Sequence, residues 1–125
     1  VRKLCSACRK EIALEDSQKA LVEKIINGVH NKEFFKNVSK EKAFVSVGCD
    51  VCNHTGYQGR LGIYEGIIMD GNIEKVVREN PSEREIFDAS REQGILSMTE
   101  DGILKVLQGV TSFEELGRVV DLNAE

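Results

Sequence analysis

No apolar run in this 125-residue sequence approaches the roughly 18 residues that a membrane-spanning helix requires. The opening "VRKLCSACRK" has no apolar stretch behind its charges, so no secretory signal peptide is expected. No glycine is followed by lysine, which excludes the G-x-x-x-x-G-K-[ST] phosphate loop. Internal repeats and low-complexity tracts are also missing. Aromatic residues make up only 6%. Phe34, Phe35, Phe44, Tyr57 and Tyr64 fall at apolar-face or strand positions that read as core, not as a stacking platform for nucleic acid. What is present is ordinary for a globular protein, with 41% hydrophobic and 30% charged residues. The length fits one domain, or two small ones at most. The chain opens on Val1 and enters its first motif within five residues, so it reads as a piece of a longer protein.

Charge is unevenly spread. Residues 1–60 carry eleven Lys/Arg against seven Asp/Glu, a balance of +4; residues 61–125 carry six against fourteen, a balance of −8, and together these give the net −4. Such asymmetry suggests two units with different neighbours. The basic half could face phosphate or acidic lipid, whereas the acidic half argues against nucleic acid as a partner of the whole chain.

All four cysteines fall into two pairs, Cys5 with Cys8 in "CSAC" and Cys49 with Cys52 in "CDVC". Two-residue spacing lets both sulfurs of one turn reach a single tetrahedral ion, so a four-thiolate zinc site is the leading expectation. Four protein thiolates close the coordination sphere, which makes the site structural. The long spacer between the pairs costs little, because closure entropy grows slowly with loop length. A thioredoxin-type redox pair would need a βαβ setting that neither pair has. Disulfides would need an oxidising compartment, and nothing in the sequence looks secreted. His54, two residues beyond Cys52, is a substitute ligand or a surface or supporting group.

Patterning places these motifs on short elements. "LEDSQKALVEKIINGV" reads as a helix capped by Asp16 or Ser17, with Leu21, Val22, Ile25, Ile26 and Val29 inward and Gly28 at its end. "NKEFFKNV" reads as a short turn with Phe34 and Phe35 in the core. "AFVSV" reads as a strand leading to the second cysteine pair, and "RLGIYEGIIM" as another, apolar from Leu61 to Met69. Four capped helices follow. One is opened by Asp70, carries Ile73, Val76 and Val77, and stops before "NP". The next runs from a Ser82/Glu85 box to Gly94, and the third begins after Thr99 and ends at Gly109. The last is opened by a Thr111/Glu114 box, with Phe113, Leu116 and Val120 inward. Gly56 and Gly59 in "TGYQGRLG" suit positive φ in a turn, since no helix follows them directly as a dinucleotide turn requires. Arg60 is kept as a functional candidate because a guanidinium clamps phosphate or carboxylate bidentately. Alternation puts Arg60 and Glu65 on opposite faces, so they are not expected to pair.

The succession "RKLCSAC", "GCDVCNHTGYQGRLGIYE" and "DGILKVLQGVTSFEELGRV" resembles the C-terminal portion of bacterial type II secretion and type IV pilus assembly ATPases. It covers nearly the whole chain apart from the stretch between the cysteine pairs, whose length points to the pilus branch. The resemblance implies a cytoplasmic homo-hexamer at the inner face of the inner membrane. That motor would couple ATP hydrolysis, with magnesium, to movement of an inner-membrane platform protein. The nucleotide-binding motifs would lie upstream, leaving this chain inactive alone. Cys5, Cys8, Cys49 and Cys52 match the family's zinc ligands, and Arg60 matches an arginine associated with ATPase function. The fold expected is α+β. A small four-cysteine zinc module with short strands would span residues 1–59, and a strand plus a compact bundle of short α-helices would span residues 60–125. Lys36, Lys40 and Lys42 lie on a basic loop that could touch acidic phospholipid, or simply be solvated. The alternative is a free-standing zinc-ribbon-like interaction module binding nucleic acid or acidic lipid.

Overall fold

The computed structural model describes residues 1–79 and 81–123. Among these the fold is α+β. Strand β1 is Arg2–Leu4, β2 is Lys10–Ala13, β3 is Lys42–Val45 and β4 is Tyr57–Arg60; helix α1 is Asp16–Asn27, α2 is Gly71–Glu79, α3 is Glu83–Ser90, α4 is Met98–Leu107 and α5 is Phe113–Val119. Single 3₁₀ turns occupy Lys32–Phe35, Asp50–Cys52 and Arg91–Gln93. The strands pair in nested fashion. β2 lies antiparallel to β3, with Glu11 opposite Phe44 and Ile12 opposite Ala43, while β1 lies antiparallel to β4, with Arg2 opposite Arg60. Each nested pair leaves its connections side by side, a consequence that builds the site described below.

Helix starts depend on which side chain reaches the free N–H groups of the first turn. Asp70 Oδ1 accepts from Ile73 N at 2.9 Å and Ser82 Oγ from Glu85 N at 3.2 Å, as the sequence suggests. Three starts differ. α1 is capped by Glu15, not by Asp16 or Ser17, with the Gln18 side chain accepting from Glu15 N at 3.0 Å. α4 begins before Thr99, because Ser97 and Glu100 form a reciprocal capping box. α5 is capped by Ser112, whose Oγ accepts from Glu115 N at 3.1 Å, while Thr111 donates instead to the Arg2 carbonyl at 2.8 Å. The expected stop of α2 before "NP" falls at Asn80, outside the described residues. Gly94 ends the turn after α3 with φ +72°.

One core unites both halves of the sequence. Val22, Ile25, Ile26 and Val29 from α1 and its end, with Leu14, Phe35 and Ala43, pack with Ile103, Leu104, Val106 and Leu107 of α4 and Leu116 of α5. Leu21, Phe113 and Val120 pack partly against this cluster. Each such aliphatic side chain contributes about 1.5–3 kcal/mol when fully buried. Phe34 departs from expectation. A 3₁₀ turn places it and Phe35 on different sides, so Phe35 is buried while Phe34 is exposed. The expected strand from Leu61 to Met69 is also missing, and Tyr64, Ile67, Ile68 and Met69 lie on the surface.

The fold is closed end to end by Glu115. Its side chain has no exposed surface. The carboxylate accepts from the Arg2 backbone N–H at 3.0 Å, from the Arg2 guanidinium at 3.0 and 2.8 Å, and from Arg118 at 3.2 and 2.8 Å. Hydrogen bonds from Arg118, and then those from Arg2, hold the carboxyl well below the usual carboxylate range against the opposing effect of burial. A depressed carboxyl pKa stabilises the fold above the unfolded value of about 4.3, and that stabilisation is lost as pH falls further toward the folded value. Thermal melts from pH 7 to pH 3 should therefore show a steep loss below about pH 4.3. Glu115→Gln should cost about 2 kcal/mol at pH 7 and flatten the acid-side loss. An unchanged acid response in the variant would assign the loss to other carboxyls.

Candidate metal centre

Because β1 pairs with β4 and β2 with β3, the β1–β2 and β3–β4 connections must lie beside each other. The first connection carries Cys5 and Cys8, and the second carries Cys49 and Cys52. Thus the spacer between the pairs, containing β2, α1 and β3, folds into the inner ladder and core without separating the sulfurs. Cys5 and Cys52 are buried, and Cys8 and Cys49 half-buried.

The four sulfurs lie within 4.8 Å of one another. Cys5–Cys49, Cys8–Cys52 and Cys49–Cys52 Sγ separations are each 3.8 Å. A tetrahedron of thiolates about 2.3 Å from a zinc ion has sulfur–sulfur edges of about 3.8 Å, so the donor set fits that ion in number, type and spacing. All four thiols are free of disulfides. Backbone amides point at the sulfurs: Gly48 N–H at Cys8 (3.4 Å), Cys49 N–H at Cys52 (3.3 Å) and Gly56 N–H at Cys52 (3.2 Å). Such donors stabilise thiolate charge.

The thiols are polarised in opposite directions. Burial raises Cys52, but the amides of Cys49 and Gly56 and the neighbouring sulfurs outweigh it and bring the thiol down to about 6. The Gly48 amide lowers Cys8, but burial and the three other sulfurs overcome it and push that thiol up to about 11. Protons shared within the cluster are the ones a metal ion would displace, so loading releases protons and weakens at low pH.

His54 stands outside the cluster. Its Nε2 lies 3.0 Å from Asp50 Oδ1 and its side chain is largely exposed. Arg60 is exposed on β4 beside Arg2, Thr55, Tyr57 and Gly59, which line a shallow depression of about 240 Å³. Glu65 does not pair with it and instead accepts from Met98 N at 3.1 Å. Sequence patterning missed the residues that bolt this module to the helices. Arg2 stacks over Tyr57 at 4.3 Å, Tyr57 Oη meets Ser112 Oγ at 2.7 Å, and Arg9 donates to the Gly109 carbonyl at 2.6 Å while stacking over Phe44. The only local signal for these was the Ser112–Glu115 spacing of a capping box.

Comparison with known proteins places the chain. The family model described as "Type II/IV secretion system protein" matches residues 1–118. Over 122 residues the chain is 35% identical to the type IV pilus assembly ATPase TfpB of Acinetobacter baylyi, covering 98% of this chain and 19% of that protein. The type IV pilus assembly ATPase PilB of Pseudomonas aeruginosa is 35% identical over 118 residues, covering 94% and 19%. Type II secretion system protein E of Pseudomonas aeruginosa is 34% identical over 119 residues, covering 95% and 21%. The chain belongs to the type II/IV secretion system protein family. It spans about a fifth of the length of these relatives.

Two glycines near the cysteines separate site geometry from turn geometry. Gly56 has φ +81°, and a Cβ there would lie 2.5 Å from Ser46 Cβ. Gly59 has φ +82°, but its Cβ would meet only Lys3 Cδ at 3.8 Å. Gly59→Ala should therefore cost about 1 kcal/mol and leave metal binding unchanged, whereas Gly56→Ala should cost more than about 2 kcal/mol and weaken it. Cobalt titration alongside thermal melts checks both, and equal losses at the two positions would refute the steric distinction.

Proposed function

We propose that this chain is the C-terminal part of a hexameric motor ATPase powering type IV pilus assembly or type II secretion. The observation that carries the reading is the cluster of four cysteine sulfurs, all within 4.8 Å of one another, in a chain whose similarity to pilus and secretion ATPases runs almost end to end. In this reading Cys5, Cys8, Cys49 and Cys52 hold one structural zinc, which fixes the two knuckles and leaves no open coordination position for catalysis. Residues 1–59 are the zinc module, and residues 60–125 supply the helical subdomain and subunit or partner contacts. ATP and magnesium are handled upstream, and the motor works in the cytoplasm against an inner-membrane platform protein. Among the described residues no helix is long and apolar enough to cross a membrane. Exposed Lys36 and Lys40 could add contact with acidic phospholipid, whereas Lys42 lies 3.9 Å from Glu11.

The zinc assignment is tested on the purified chain. One equivalent of zinc, replaceable by cobalt with tetrahedral thiolate absorption, is expected, and Cys→Ser at any of the four positions should abolish stoichiometric binding. A folded metal-free protein or a Cys5–Cys8 disulfide would sink it. The motor assignment is tested on the parent protein.

Arg60 connects the module to turnover in this reading. Exposed on β4 with no ion pair among the described residues, it is available to an anionic group of the upstream domain. Arg60→Ala should lower ATPase turnover of the parent hexamer at least tenfold while moving stability by no more than about 0.5 kcal/mol. Arg60→Lys should not restore activity, because an ammonium cannot reproduce a bidentate clamp. Wild-type turnover in Arg60→Ala would reduce the residue to a surface cation.

A further inference from the structure

The β1–β4 ladder does not stop at its last strand residues. Val1 N donates to the Leu61 carbonyl at 2.8 Å, and Leu61 N donates to the Val1 carbonyl at 2.8 Å. This reciprocal pair continues the register set by Arg2 opposite Arg60. Beyond Leu61 the chain runs on without helix until Asp70 N closes a tight turn on the Ile68 carbonyl at 2.9 Å, and Tyr64, Ile67, Ile68 and Met69 are exposed.

Backbone hydrogen bonding along this run is one-sided. Tyr64 N donates to Asp101 Oδ2 at 3.1 Å. Ile68 N donates to Gln93 Oε1 at 3.0 Å, and the Ile68 carbonyl accepts from Gln93 Nε2 at 2.7 Å. These groups face α4 and the turn after α3. Alternation turns the N–H groups of Ile63, Glu65 and Ile67 the other way, in line with that of Leu61, and among the described residues none of the three has an acceptor. An antiparallel partner would satisfy this set.

We infer that the residues immediately preceding Val1 in the parent protein run antiparallel to residues 62–69, extending the β1–β4 ladder and covering the exposed apolar run. This rests on the reading above that the chain is the later part of a longer protein, as its one-fifth share of its relatives' length suggests. Register then assigns partners. Ile63 pairs with the residue two before Val1, Glu65 with the fourth before, and Ile67 with the sixth before. Directly opposed residues share a face, so the fourth and sixth project toward the groove of about 770 Å³ that Glu65 and Ile67 line with Pro81, Ile86 and Phe87. Apolar side chains suit those two positions.

Residue-resolved amide exchange on the full-length parent and on the 125-residue chain tests this. The Ile63, Glu65 and Ile67 amides should exchange at least tenfold more slowly in the parent, and equal rates would overturn the pairing. A benzophenone amino acid at Ile67 in the parent provides a second readout that does not need the short chain to fold. Cross-linking within the same chain, about six residues before Val1, supports the inference. Cross-linking to a second subunit or to a distant segment overturns it. ATPase turnover tests the motor reading and these two measurements test the strand, so either can fail with the other intact.

Discussion

A carboxylate with no exposed surface must be paired, and the pairing of Glu115 fixes where the first strand of this protein lies. Arg2 contributes both its backbone N–H and its guanidinium, and Arg118 holds the carboxylate from one turn further along α5. Thr111 and Val110 add bonds to the carbonyl of Arg2 and the N–H of Leu4. β1 is therefore gripped on one edge by the α4–α5 turn and on the other by β4. Cys5 follows directly, with its N–H on the Gly56 carbonyl at 2.9 Å. The position of the first cysteine knuckle is thus inherited from an ion pair spanning 113 residues of sequence.

Stability and specification come from different places. The apolar cluster from Leu14 to Leu116 removes many aliphatic side chains from water, the term that dominates folding free energy. It does not by itself decide which knuckle meets which. Nested pairing of the strands does, because an inner β2–β3 ladder leaves no other place for the two cysteine connections. Gly56 belongs to both devices. Its carbonyl holds Cys5, its amide points at Cys52, and its missing side chain lets the two ends of the β3–β4 connection close on each other at Ser46.

Local chemistry was legible in the sequence where one residue type has one use. The two Cys-x-x-Cys pairs announced a single cluster, and the structure brings those four residues together. The inward face of α1 followed from spacing alone. Cap positions were less legible, because Thr111 and Ser112, or Ser97 and Thr99, are near-equivalent candidates separated by a residue or two. Which one caps is decided by tertiary demand. Thr111 is drawn to the Arg2 carbonyl, leaving Ser112 to open α5. Glu115, Arg2 and Arg118 carried no signal beyond a capping-box spacing, since ion pairs between distant segments leave no periodicity to detect.

The strand expected over Leu61–Met69 differs in kind from these small displacements. Near-continuous apolar character with no strict alternation is the pattern of a strand covered on both faces. Covering both faces needs a partner strand and packing layers, and a lone extended run has neither. The residues that do pack here, Asp101 and Gln93, satisfy only one edge of its backbone. Propensity encoded in these nine residues therefore exceeds what the described residues can satisfy. That surplus falls where the β1–β4 ladder ends at the Val1–Leu61 pair.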